Sequence, residues 1–265
     1  MTIKKNTVWI TGASSGIGEA LAYAYARENA NLILSARREE ELNRVAELCR
    51  TSQNKVLVLP FDMVDLEYHS TALEIIGKEF DQIDLVYLNA GVSQRSSILD
   101  TDFSVYRKLF EINFFSIVHL VQKLIPVFQK QGFGTFVPIA SVAGRISTPR
   151  RGAYAASKHA IIGFFDALRA EMYPLGIRVC TILPGYIKTN ISIAAMDATG
   201  GKYGKMDPNQ AKGLDVNWTA EEIKKAVSAG LNEKIIAGKK EKLGLFIHRF
   251  FPKLLPFVLR KVHNS

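Results

Sequence analysis

Residues 7–26, "TVWITGASSGIGEALAYAYA", pass from a short β-rich run over three glycines into an apolar-periodic helix that reaches about Asn29. A strand that turns through glycine straight into a helix is how a βαβ unit begins. Gly12, Gly16 and Gly18 allow a tight turn and close backbone approach to a pyrophosphate. The helix start behind them supplies N–H groups and partial positive charge. An ordinary glycine-rich turn is the competing reading, and the spacing here is TGxxxGxG rather than GxGxxG.

Outward from that unit the alternation continues. "NLILS" (31–35), "KVLVL" (55–59), "DLVYL" (84–88), "GTFVPI" (134–139) and "IRVCTIL" (177–183) read as strands, with helices over about 39–49, 65–80, 103–130 and 153–172 between them. The strands are continuous apolar runs, the mark of strands covered on both faces. The chain is therefore expected to be α/β: a single doubly wound Rossmann-type domain, with a parallel sheet of about seven strands and helices on both faces. Ligands of such sheets sit beyond the carboxyl ends of the strands.

The chemistry-bearing residues follow those ends. After the second strand stands "SARREEE", with no acid at the turn to hold ribose hydroxyls. Arg37 and Arg38 instead suit a 2′-phosphate, which points to NADP(H) over NAD. The alternative is two solvated arginines at a helix start, where the helix dipole mildly disfavours cations. Asp62 could accept from an adenine amine, and Asn89 of "NAGVS" could satisfy a local turn. Ser141 follows the fifth strand. Tyr154 stands four residues before Lys158 in "GAYAASKHA", one helical turn apart on one face, which fits either a surface helix or a tyrosine tuned by a cation.

Taken together, TGASSGIG, NAG, Asn113 in "EINFF", Ser141, Tyr154-xxx-Lys158 and "PGYIKT" resemble the short-chain dehydrogenase/reductase family across residues 6–190. "SKHAIIGFFDALRAE" and "PGYIKTNIS" look closest to its member 7 and 7B branch. The resemblance implies a catalytic set of Asn113, Ser141, Tyr154 and Lys158. It implies cofactor contacts from the loop Gly12, Ser14, Ser15, Gly16, Ile17 and Gly18, from Arg37, Arg38, Asp62 and Asn89, from Tyr154 and Lys158 again, and from Ile187 and Thr189. The reaction it implies is NADPH-dependent reduction of a ketone or aldehyde on an apolar, lipid-, steroid- or retinoid-like substrate. Tyr154 would give the proton, Lys158 would lower its pKa and bind the nicotinamide ribose, and Asn113 would hold a water leading to solvent. A catalytically silent, cofactor-sensing or scaffold protein is the alternative, against which the intact Ser/Tyr/Lys/Asn set argues.

Composition bounds the rest. The 265 residues and 48% apolar content suit one domain, read as residues 1–238 with a lid over 186–217 and a tail over 239–265. The start has no apolar run before a cleavage site, and Cys49 and Cys180 form no metal or redox spacing. A cytoplasmic protein without a metal is expected. Helix 103–130 carries more apolar positions than one core-facing stripe can use, so a homodimer or homotetramer is expected.

Of the net charge of +9, residues 239–265 hold +6, with seven Lys/Arg against Glu241 alone. A nearly balanced body with a basic tail, and no base-reading module, argues against nucleic acid. Interleaved with Leu243, Phe246, Ile247, Phe250, Leu254, Phe257 and Val258, that charge suggests peripheral contact with anionic membranes. Folding back onto the body or onto a partner subunit is the competing reading.

Overall fold

The structure is a computed structural model and describes residues 6–262. The outermost residues of the expected domain and tail, 1–5 and 263–265, lie outside the described residues, as do the side chains of Lys261 and Val262.

Strand and helix alternate through most of the chain: β1 (Thr7–Thr11), α1 (Gly16–Ala26), β2 (Asn31–Ser35), α2 (Glu39–Cys49), β3 (Val56–Val58), α3 (Tyr68–Glu79) and β4 (Leu85–Leu88). Then come α4 (Phe103–Phe110), α5 (Ser116–Gln131), β5 (Gly134–Pro138), α6 (Gly152–Met172), β6 (Ile177–Val179) and β7 (Thr181–Pro184). The chain closes with α7 (Pro208–Ala211), α8 (Val216–Ser228), β8 (Glu233–Ile236), α9 (Lys239–Phe250) and α10 (Leu255–Val262). The main sheet runs in the order β3-β2-β1-β4-β5-β6, all parallel.

Side-chain alternation along the strands sorts the core into two layers. Val8, Ile10, Leu32 and Leu34 face α1, α2 and α8, while Trp9, Ile33, Val86, Leu88 and Phe136 face α3, α5 and α6. This is why the strands read as unbroken apolar runs.

The sheet has six strands rather than about seven, and the run at 177–183 is two strands, not one. The chain changes partner at Cys180. Its amide donates to Phe136 O (2.9 Å), whereas the amide of Thr181 donates to Asn232 O (2.9 Å). Thereafter β7 pairs with β8, in parallel, and touches β5 through the Ile139–Ile182 bridge and the bond from Ala140 N to Ile182 O (2.9 Å). The strand β8, "EKII", is short and half charged, too weak a period-2 signal to be read from sequence.

The long helix 103–131 is one helical stretch of 29 residues, interrupted by a π-turn over Glu111–Phe115. By length and composition it could cross a membrane. In this fold its Ile117, Leu120, Val121, Leu124 and Phe128 are instead buried in the second core layer. Phe103 and Phe115 remain exposed, at 68% and 50%. The segment 186–215 is largely irregular and is tied across the strand ends to residues 93–96, by Arg95 N to Met196 O (2.8 Å) and Met196 N to Ser93 O (2.9 Å).

Candidate active site

At the carboxyl edge of β1 the chain turns at Gly12 and Gly16 with φ of +66° and +62°, a region where a Cβ is costly. A Cβ on Gly18 would stand 2.3 Å from Gly12 O, so the first turn of α1 packs against the loop only as glycine. Asn89, after β4, closes the cradle by donating from Nδ2 to Thr11 O and Gly12 O (both 3.1 Å). Thr11 Oγ1 in turn accepts from the amides of Asn89 and Ala90 (both 3.1 Å). Asn89 is thus a structural bolt of the glycine loop, with Thr11 its partner. Thr11 opens the TGxxxGxG motif, but its partnership with Asn89, 78 positions away, carries no local signal.

Beyond β2, Arg38 reaches over this loop, its Nη2 donating to Ser14 Oγ (3.2 Å). Arg37 lies 3.8 Å from the carboxylate of Asp62, with both side chains well exposed. No acid intervenes at the end of β2, so two guanidinium groups border the place where an adenosine ribose would lie. The cradle and the guanidinium groups beside it fit a dinucleotide.

The other residues converge on a cleft lined among others by Ile17, Asn89, Ser141, Tyr154, Lys158, Ile187 and Thr189. Tyr154 and Lys158 lie on the buried first turns of α6, each 5% exposed. Lys158 Nζ sits 5.9 Å from the Tyr154 ring centroid and donates to Ile139 O (2.9 Å). The surface-helix reading of the pair therefore fails on burial. Burial alone would push the phenol's pKa up. The positive charges of Lys158, Arg151 and Arg95 and a hydrogen bond with Ser141 outweigh it, and the pKa falls below 10.0. Burial likewise lowers the Lys158 ammonium, against the opposing pull of Tyr154.

Ser141 stands at the end of β5, where its Oγ accepts from Ala143 N (3.1 Å) and donates to Pro184 O (3.3 Å). Asn113 is wholly buried at the middle of the π-turn. It accepts from Val92 N (2.9 Å) and donates to Val92 O and to Ser157 Oγ (both 3.0 Å). The extra residue in the π-turn turns an amide inward from an otherwise apolar helix, so helix distortion and functional placement are one feature.

Three contributors escaped the sequence reading. Arg151 lies over the Tyr154 ring, 4.4 Å from its centroid. It stands three residues before Tyr154, and that spacing could have revealed it. Arg95 is buried and pairs with Asp207 at 2.8 Å, across 112 positions of sequence, with no local signal. Gln210 in α7 donates to Ile187 O and to Thr189 Oγ1 (3.2 Å), fastening the two ends of the irregular segment to each other.

The family model described as short chain dehydrogenase matches residues 6–199. Over 258 residues the chain is 38% identical to dehydrogenase/reductase SDR family member 7B of Danio rerio, covering 95% of this chain and 84% of that one. It is 45% identical to dehydrogenase/reductase SDR family member 7 of Homo sapiens over 190 residues, 69% of this chain and 56% of that one. Among solved structures, a short-chain dehydrogenase of Sphingobium yanoikuyae in complex with NADPH superposes with a TM-score of 0.76 at 27% identity, over 87% of each chain. A short chain dehydrogenase/reductase of Burkholderia phymatum in complex with NAD superposes with 0.84 at 20% identity, over 96% of each. With the glycine cradle, the buried Tyr154–Lys158 pair and Ser141 in one cleft, the chain belongs to the short chain dehydrogenase family of oxidoreductases.

Proposed function

We propose that the protein reduces a ketone or aldehyde of an apolar substrate to the alcohol with NADPH. The observation that carries this reading is the buried Tyr154, with Lys158 one turn along α6, Arg151 over its ring at 4.4 Å and Ser141 lining the same cleft. When bound, NADPH supplies the hydride. The glycine loop, with Arg37 and Arg38 at its edge, would hold its phosphates, and Ile187 and Thr189 would hold the nicotinamide end.

Negative charge develops on the carbonyl oxygen as its carbon accepts hydride, and the site is built to meet it. Ser141, turning its hydroxyl proton away from Pro184 O, would donate a hydrogen bond to that oxygen, and Tyr154 Oη would transfer its proton there, leaving an alcohol and a phenolate. Lys158 and Arg151 stabilise the phenolate until it is reprotonated. Asn113 fixes Val92 and Ser157, and so the floor of the cleft. Val92 and Ile191, which line the cleft beside the cofactor residues, support an apolar substrate. Exposed Phe103 and Phe115 support association with a second copy through the long helix.

Preference for NADPH rests on Arg37 and Arg38. In Ala36→Asp combined with Arg37→Ser and Arg38→Ser, preference should move from NADPH to NADH, because a phosphate clamp is exchanged for a ribose acceptor that repels phosphate. NADPH consumption against steroid, retinal and 3-keto lipid panels reads both properties. Wild-type protein that prefers NADH would remove the cofactor assignment. No turnover on any ketone, with NADPH still bound, would favour the sensing or scaffold alternative.

A further inference from the structure

The C-terminal helices present an apolar face that the body leaves uncovered. Leu243, Phe246, Phe250, Phe251, Leu254, Phe257 and Val258 are 37–62% exposed, and α9 has no buried residue at all. A tail folded back to bury its apolar stripe would show the opposite. The inward contacts are few. Leu245 and Leu255 pack on Val142, Ile146 and Ala237, and Glu241 Oε1 accepts from Tyr186 N at 3.2 Å. Those contacts involve the segments after β5 and β7, so α9 and α10 are fastened beside the mouth of the cleft.

The same helices are rich in cations. They and the turn between them carry Lys239, Lys240, Lys242, Arg249, Lys253 and Arg260, and the lone acid, Glu241, is turned to the body. Arg249 and Arg260 flank the rings of Phe250 and Phe257 at 5.7 and 5.6 Å. The break at Phe251–Leu254, with Pro252 opening a 3₁₀ turn, divides the tail into two short helices. At 1.5 Å per residue α9 is about 18 Å long, well short of the ~30 Å hydrocarbon core. It cannot span a bilayer, but it can lie on one.

We propose that α9 and α10 form a docking surface for an anionic lipid bilayer, lying flat with Phe246, Phe250 and Phe257 in the acyl boundary and the lysines and arginines among the headgroups. Charge decides between this and a second copy of the chain. A tail carrying +6 repels its own copy, whereas it complements phosphate headgroups, and apolar burial and electrostatic attraction then add. Because these helices adjoin the segments that border the cleft, the docked protein takes its carbonyl substrate where apolar ketones partition.

Co-sedimentation of the full chain with phosphatidylcholine vesicles, with and without equimolar phosphatidylglycerol, tests this without any turnover, so it can fail separately from the reductase reading. Binding should require phosphatidylglycerol and weaken as salt rises, since screening shortens the Debye length from about 30 Å at 0.01 M to about 10 Å at 0.1 M. Burying one phenyl side chain corresponds to roughly one to two factors of ten in affinity, so Phe246→Glu with Phe257→Glu should weaken binding by at least about a hundredfold. Both side chains are exposed, so the melting temperature should not move. Equal binding to pure phosphatidylcholine, or no binding to either vesicle, overturns the proposal. A fall in oligomeric mass of the double variant in vesicle-free buffer also overturns it, and makes the face a subunit interface.

Discussion

The cleft and the C-terminal helices handle their polar and apolar groups in opposite ways. In the cleft Asn113, Ser141, Tyr154 and Lys158 are each at least nine-tenths buried, and each polar group has a partner inside the protein. On α9 and α10 large aromatic side chains face outward, and no residue of α9 is buried. A buried ionisable group is expensive unless its surroundings fix it, so geometry there implies chemistry. An exposed apolar face is expensive unless something covers it, so geometry there implies an environment.

Substitutions can break or sharpen this contrast. The largest effect is expected at Tyr154. Tyr154→Phe removes the proton donor with little change of shape, so kcat for ketone reduction should drop by ~10²–10⁴-fold or more. NADPH affinity, read by fluorescence, should be retained. Activity within a few fold of wild type would put the proton elsewhere.

Asn113→Ala should combine loss of activity with loss of stability. It leaves the amide and carbonyl of Val92 without partners, a cost of about 1–3 kcal/mol. In a chain of this size that corresponds to a melting temperature lower by roughly 2–4 °C for each kcal/mol. An unchanged melting temperature would mean that the π-turn holds its shape without the amide. By contrast, Phe250→Ser on the outer face of α9 should alter stability by no more than about 0.5 kcal/mol. A large destabilisation there would show that the helix is packed more firmly than its exposure implies, and would erase the contrast.

The sequence disclosed the parts of this molecule whose causes are local. Apolar runs covered on both faces marked β1 to β5, whereas the glycine spacing and the i, i+4 pair Tyr154 and Lys158 each left an ordinary reading open, and only the ordered set of motifs with its family resemblance marked the cleft. Features made by distant partners were hidden. The switch of strand partner at Cys180 depends on Phe136 and Asn232, and β8 gains its strand character from β7 rather than from "EKII" itself. Arg95 finds Asp207, and Gln210 finds Ile187 and Thr189, only once the segment after β7 has crossed the strand ends. The apolar excess of the tail was visible in the sequence, and the break between its two helices falls at Pro252.

Cations around Tyr154 overcome the effect of burial and leave its phenol a usable acid and base. Difference absorbance of tyrosinate, wild type minus Tyr154→Phe, in cofactor-free protein measures this directly. Lys158 and Arg151 favour the phenolate, so the Tyr154 signal should rise at a pH below the ordinary tyrosine value of about 10. In Arg151→Met one of those charges is gone, so the midpoint should move up, and the pH limit of ketone reduction, which needs the protonated phenol, should move up with it. A Tyr154 that titrates at or above the ordinary value in the wild-type protein, or a midpoint indifferent to Arg151, would contradict the account.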